Sequence, residues 1–249
     1  MKGLIADLHM HTIASGHAYG TIREMAQAAA ERGLQLIGLS EHAPGIPGTV
    51  HPFYYLNLQV IPQKLYGVEI LHGSEINVLP GGELSLEQRY IDRLDYAIIG
   101  VHTPCYQDRG REDNTRDILR CMENPKVRFV SHPDDSRLPL DYALLAQGAR
   151  EHGVALEVNN TSLARNIRLG CRDNYRAMLA ECRRYGVPII VNSDAHDPSW
   201  VGELSEACRF LEEVGFDEEL ILNNDLDKVK AFLRGGNGKT AFHGCEYRF

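Results

Sequence analysis

The chain has 249 residues, 43% hydrophobic and 24% charged, with 23 Gly and 11 Pro. That composition excludes disorder, collagen-like repeats and coiled coil, and the length suits one α/β barrel able to bury a full core. The net charge of −8 gives no basic footprint for a long nucleic-acid backbone, although bound cations could invert the charge locally for an anionic substrate.

No stretch approaches the roughly 18 apolar residues needed to span a bilayer. Asp7, His9 and His11 interrupt the N-terminus before a signal-type apolar segment can form, so a cytoplasmic protein is expected. The six cysteines (105, 121, 171, 182, 208 and 245) contain no C-x-x-C pair, and reduced thiols are expected.

Short apolar runs predict seven strands, at 4–9, 36–39, 70–75, 96–102, 127–132, 155–158 and 188–193. Helical patterns fall between them. Thr21…Glu24 is a capping box opening a helix to Arg32. The stretch 54–65 reads as helix, and Ser85…Gln88 as a second box opening a helix to about residue 93. A helix at 115–122 follows. Asp141 and Asp173 read as N-caps of helices ending at Gly153 and Gly186, and 203–214 ends at Gly215. Glycine before Val or Leu and an apolar run recurs at Gly33, Gly67, Gly153 and Gly186, as expected where a left-handed cap stops a helix ahead of a buried strand. Alternating β and α elements predict a parallel sheet in a single domain over 1–249, with a core at about 3–234 and a Gly-rich tail at 235–249. Seven units fit a barrel; an open doubly wound sheet is the alternative that pattern alone leaves.

The unusual count is 11 His. Seven of them, His9, His11, His17, His42, His102, His132 and His196, fall at or just beyond the C-terminal ends of predicted strands, as do Glu75 and Asp194. In parallel α/β folds that edge binds ligands. Residues i and i+2 of a strand share a face about 6–7 Å apart, so His9 with His11, and Asp194 with His196, can address one centre. A lone strand-end His is commonly a hydrogen-bonded core residue. The joint placement shifts the balance, because so many polar groups buried at one edge need a cation to pair them. Nine donors exceed what one first-row ion takes, so two or three ions sharing a bridging carboxylate are expected. Imidazole dominates and thiolate is absent, which favours Zn, Mn or Fe over Mg or Ca.

Asp7, at the parity of His9 and His11, reads either as an acceptor behind a ligating imidazole or as a buried carboxylate holding backbone groups. Glu41 reads as a similar acceptor or a rim acid. His51 reads as a surface loop residue, His72 as facing away from Glu75, and His152 as complementing a helix C-terminus. His243 lies in the tail. Arg137, Arg165 and Arg168, in loops on the same edge, are each read as solvated charges unless one clamps phosphate.

Asp7–Thr12, His17, Glu41-His42, Glu75, His102, His132-Pro133 and Ser193-Asp194-Ala195-His196 together resemble the PHP (polymerase and histidinol phosphatase) superfamily. The stretches at His17-Ala18-Tyr19 and 156–160 are most similar to its YcdX-type phosphatases. The resemblance implies a distorted seven-stranded TIM-like β/α barrel with a trinuclear metal site, commonly zinc. Carried over, it implies three centres: His9, His11, Glu75 and Asp194; Glu75 as a bridge with His102 and His132; and His17, His42 and His196. Departures lie beside the ligands, at Ser40-Glu41-His42, Ala195 and Pro133-Asp134-Asp135, where rim shape and substrate choice are set.

The implied chemistry is hydrolysis of phosphoric monoesters of small metabolites by a metal-bridging hydroxide, with Glu75, Asp194 and His196 as catalytic residues. A small phosphorylated substrate is the expected partner; membrane and nucleic acid are not, and self-association is left open. Three rivals remain. A phosphodiesterase or single-strand exonuclease would want a basic, aromatic groove. An amidohydrolase would want a bridging Lys. A non-catalytic metal scaffold would typically have lost ligands.

Overall fold

The computed structural model describes residues 3–235; most of the expected tail, with His243 and Cys245, lies outside them. Among the described residues nine strands form one sheet: β1 (Ala6–Met10), β2 (Leu36–His42), β3 (Lys64–Leu65), β4 (Val68–Leu79), β5 (Glu83–Leu84), β6 (Ala97–Gly100), β7 (Val127–Val130), β8 (Ala155–Asn159) and β9 (Ile189–Asn192). Seven run parallel in the order β1-β2-β4-β6-β7-β8-β9. The short β3 and β5 pair antiparallel with β4. The helices are α1 (Ile22–Glu31), α2 (Gln88–Ile91), α3 (Arg111–Met122), α4 (Tyr142–His152), α5 (Asn160–Arg165), α6 (Cys171–Tyr185), α7 (Ser205–Glu213) and α8 (Leu226–Arg234).

The parallel strands curl into a nearly closed barrel. At the C-terminal ends of β1 and β9, His11 N donates to Ala195 O at 2.8 Å and Asp194 N to His9 O at 2.9 Å. Further down the seam, Asn223 substitutes for ladder bonds. Its buried amide donates to Ala6 O and Val191 O at 2.8 and 2.6 Å and accepts from Val191 N at 3.2 Å. Leu8, Leu36, Tyr96, Phe129 and Ile190 fill the interior, and α8 packs against them through Val229 and Leu233. Tyr96 donates to Leu8 O at 2.6 Å, and a Cβ built on Gly38 or Gly73 would lie 2.0 or 2.7 Å from its phenol. Two strands thus carry glycine where the tyrosine ring needs their surface.

The seven strand positions match the sequence reading, with shifts of a few residues at the ends. Several local expectations are corrected. The stretch 54–65 is a 3-10 helix (Pro52–Val60) followed by β3; Pro52 opens it, and Pro62 cannot donate within a continuing helix. The Ser85 hydroxyl accepts from Asn77 N and Nδ2 at 3.1 and 2.9 Å instead of capping a helix, so α2 starts only at Gln88, with no side-chain cap. Asp173 lies inside the first turn of α6, whose N-cap is Gly170 in a left-handed conformation. Thr21 and Glu24 make the expected capping box, and Asp141 caps α4. Among the described residues no helix is long and apolar enough to cross a membrane, and Cys105, Cys121, Cys171, Cys182 and Cys208 are free thiols.

Candidate metal centre

All nine expected donors gather at the C-terminal mouth of the barrel. Glu75, fully buried on β4, is the hub. Its Oε2 lies 3.0 Å from His42 Nδ1, 3.4 Å from His9 Nε2 and 3.6 Å from His11 Nε2. Its Oε1 lies 2.9 Å from His132 Nε2 and 3.3 Å from His102 Nε2. Asp194 Oδ1 faces His11 Nε2 at 3.3 Å, His196 Nδ1 at 3.5 Å and His9 Nε2 at 3.6 Å. His17 completes the rim, its Nε2 3.2 Å from that of His196.

Four triads have donor atoms within 4.8 Å of one another: His9–His11–Glu75, His9–His132–Asp194, His42–Glu75–His102 and His11–His42–His196. This grouping differs from the one carried over from the resemblance. His42 faces both Glu75 and the His11–His196 pair, and His132 closes on Asp194 as well as on Glu75.

The hydrogen bonds behind the rings test whether the donors fit cations. His9 Nδ1 lies 2.7 Å from Glu157 Oε1, His102 Nδ1 2.8 Å from Asn77 Oδ1, and His196 Nδ1 3.0 Å from Asp194 O. Each partner is an acceptor, so Nδ1 carries the hydrogen. Ser15 Oγ spends its one proton on Glu41 Oε2 at 2.6 Å, and therefore accepts from His11 Nδ1 at 3.0 Å. In their neutral forms these four imidazoles turn an Nε2 lone pair into the centre. The Nε2 atoms of His9 and His11 face each other at 3.1 Å, and Glu75 Oε2 and His42 Nδ1, though 3.0 Å apart, are buried without hydrogen-bond geometry to each other or to any other group. Converging lone pairs and orphaned donor atoms are what divalent cations satisfy, so the residues fit the metal set implied by the sequence.

Electrostatics agree. Burial would pull the His9 pKa down, but Glu157, Glu75 and Asp194 raise it well above the ordinary imidazole value. A proton and a cation compete for that nitrogen. Burial, with neighbouring His42 and His196, holds His11 well below its usual value. Burial and the Arg168 charge bring His132 down to about 4. Burial opposes ionisation of Glu75 and Asp194, yet surrounding imidazoles, His102 and His9 for the first and His9 for the second, keep both carboxylates well below their usual range. His132 and Asp194 also adopt positive φ values, +29° and +56°. Such backbone costs about 1–3 kcal/mol at a non-glycine residue and concentrates at functional sites.

Sequence reasoning missed the groups that hold the rings. Glu157, buried on β8, takes His9 Nδ1 on one oxygen and His132 N at 2.8 Å on the other. A charged residue inside the apolar run 155–158 was the available signal, since a buried charge needs partners. Asn77, Ser15, Asn159 and Asn192 join this layer. Glu41 is buried, not a rim acid, and acts on His11 through Ser15. Asp7 does not back an imidazole. Its carboxylate accepts from Ser193 N and Gly202 N at 3.1 and 3.0 Å, the other expectation, a buried carboxylate holding backbone groups.

His51 is an exposed N-cap, as expected of a surface residue. Of the three arginines, Arg137 pairs with Asp135 and Arg165 stacks over Trp200. Arg168 is not solvated. Its side chain is 15% exposed, with Nη2 3.8 Å from Asp194 Oδ2 and Nε 3.7 Å from Asp134 Oδ1.

A barrel whose strand ends deliver imidazoles and carboxylates into one buried cluster defines a metal-dependent β/α-barrel class. The PHP domain model matches residues 7–179, and the chain belongs to the PHP family. It is 40% identical over 255 residues to a "Probable phosphatase" of Caldanaerobacter subterraneus subsp. tengcongensis, covering 98% of this chain and 100% of that one. It is 39% identical over 233 residues to a "Probable phosphatase" of Thermoanaerobacter sp. (strain X514), covering 93% and 95%. Among solved structures, the histidinol phosphate phosphatase of Lactococcus lactis, crystallised with zinc, L-histidinol and phosphate, has the same fold with a TM-score of 0.60 at 17% identity, covering 85% of this chain and 94% of that one.

Proposed function

We propose that this protein is a metal-dependent phosphatase that hydrolyses phosphoric monoesters of small metabolites at a trinuclear, zinc-type centre. The enzyme class is supported by the full-length relatives named as phosphatases. The observation that carries the finer reading is the convergence of imidazole lone pairs on Glu75 and Asp194 at the barrel mouth.

His9, His11, Glu75 and Asp194 would hold one ion; Glu75, His102 and His132 a second; His17, His42 and His196 a third. The assignment is by donor type and proximity, with His42 and His132 able to serve neighbouring positions. Bound divalent ions supply a water acidified to hydroxide near neutral pH and positive charge for phosphate oxygens. Glu75, with its two oxygens facing different histidines, keeps adjacent positions at fixed separation. Glu157, Asn77 and Ser15 lock ring orientation, so the donors need no rearrangement when substrate arrives. Arg168, beside Asp194 and lining the cavity at the mouth, binds a non-bridging phosphate oxygen. Three divalent ions held there would carry about +6, which would outweigh Glu75 and Asp194 and favour a phosphate dianion despite the net charge of −8. The free cysteines fit a reducing cytoplasm.

The direct test is turnover of a phosphomonoester panel by purified protein supplied with Zn or Mn. Monoesters should be cleaved in preference to bis-aryl diesters. Preference for the diester would overturn the monoesterase reading, and inertness with metals retained would point to a binding scaffold.

A further inference from the structure

A cavity of about 530 Å³ is lined by His17, His42, His102 and His132 of the donor cluster and by Arg168. The rest of its lining includes apolar residues from successive loops beyond the strand ends: Ile46 and Pro47 after β2, Val101 and Pro104 after β6, Leu138 after β7 and Ile167 after β8. The first of these loops is fixed, since Asn77 Nδ2 donates to Ala43 O and Pro44 O at 3.3 and 3.0 Å and Thr49 Oγ1 to His42 O at 2.5 Å.

Three polar groups lining this cavity, Asn114, Asp135 and Ser131, are already engaged, while Asp134, whose two oxygens have no hydrogen-bond partner, is shut off from solvent beside Arg168, its Oδ1 3.7 Å from Nε, and Thr103 is exposed. Asn114 donates to Asp108 Oδ1 and Pro139 O at 2.8 and 3.1 Å and accepts from Arg109 N at 2.9 Å. Asp135 is taken by Arg137, Nη2 to Oδ2, at 2.5 Å. Ser131 Oγ donates to Glu75 Oε1 at 2.6 Å.

We propose that this cavity receives the leaving group of the ester, and that the group is a bulky apolar alcohol or phenol. The favoured substrates are aryl or branched-alkyl phosphates, not phosphates of sugars or polyols. The inference rests on the phosphatase reading above. Phosphate sits at the cluster and the carbon skeleton lies against Ile46, Val101, Leu138 and Ile167. Removing that skeleton from water is favourable. Hydroxyls of a polyol would lose water against these apolar walls and against Asn114, Asp135 and Ser131, whose polar atoms are already paired.

The test compares kcat/KM of the zinc-supplied protein for 2-naphthyl phosphate and isopentyl phosphate with those for glycerol 3-phosphate and glucose 6-phosphate. An advantage of about 100-fold for the apolar esters is expected. Leu138→Gln, at a half-buried wall position, should narrow that ratio mainly through KM for the apolar esters, and Ile46→Asn should do the same where it folds. Equal kcat/KM for the two groups, or a preference for the polyols, would overturn the inference while leaving the phosphatase reading intact. Calorimetric binding of benzylphosphonate against 2-hydroxyethylphosphonate gives a readout independent of turnover. Tighter binding of the benzyl compound supports the apolar cavity even if no ester is cleaved, a result that would sink the phosphatase reading alone; equal binding overturns the inference.

Discussion

Replacing Glu157 with Gln is the sharpest perturbation the structure suggests, because it keeps shape and removes only charge and one acceptor. The two oxygens of Glu157 accept four hydrogens. Oε1 takes His9 Nδ1 at 2.7 Å and Asn192 Nδ2 at 2.8 Å; Oε2 takes His132 N at 2.8 Å and Asn159 Nδ2 at 3.1 Å. A glutamine has one oxygen. Whichever way its amide is turned, two of these buried donors meet an NH₂ group. Each unsatisfied donor costs about 1–3 kcal/mol, so the fold should lose roughly 2–6 kcal/mol. His9 also loses the carboxylate that orients it, and such outer partners are worth about 10–100-fold in metal affinity. The assay is a chelator competition for zinc beside a denaturant melt of the metal-depleted protein. Wild-type zinc affinity and wild-type stability in Glu157→Gln would refute the argument that this carboxylate positions the ligands.

Further outcomes follow from the same geometry. Glu75→Gln should abolish turnover and lower bound metal, as read by elemental analysis, with the far-UV circular dichroism spectrum kept; unchanged turnover would remove the bridging role. His132 titrates near 4 when folded and near the ordinary 6.5 when unfolded. The unfolded chain therefore takes up the proton first, and metal-depleted protein loses stability as pH falls from 6.5 to 4. At about 1.4 kcal/mol per pH unit this is ~3 kcal/mol relative to His132→Gln, and parallel melting curves for the two proteins across that range would contradict it. Gly73→Ala pushes a methyl into the Tyr96 ring, with 2.7 Å available, and should destabilise by about 1–3 kcal/mol through overpacking; an unchanged melt would show that Tyr96 does not plug the barrel. Chelation of a loaded sample should lower Tm, because the assembled donor cluster binds metal more tightly than the unfolded chain does, and a Tm indifferent to chelator would count against a structural contribution from the ions.

The barrel was legible in the sequence because each parallel strand is an apolar run ended by a polar residue, and because left-handed glycines such as Gly153 and Gly186 mark where helices stop. The candidate donors were legible for the same reason: a parallel sheet delivers its strand ends to one edge, so position along the strand fixed position in space. Features that depend on tertiary partners or competition were not. Asp7 is held by the Ser193 and Gly202 amides, 186 and 195 positions away, and no local pattern announces them. The Ser85 hydroxyl had two possible jobs, and Asn77 took it. Arg168 reads as a surface charge until the fold brings Asp134 and Asp194 beside it. Glu157 was visible as a charge in an apolar strand, but its partner His9 lies 148 positions away, beyond the reach of local pattern.

The proposed function rests on divalent ions being held among His9, His11, His17, His42, Glu75, His102, His132, Asp194 and His196. Anomalous diffraction recorded on both sides of the zinc absorption edge, from crystals of zinc-supplied protein, addresses this directly. Difference peaks are expected within bonding distance of these side chains, with Glu75 next to more than one. A map with no such peak at the barrel mouth would contradict the proposed metal centre.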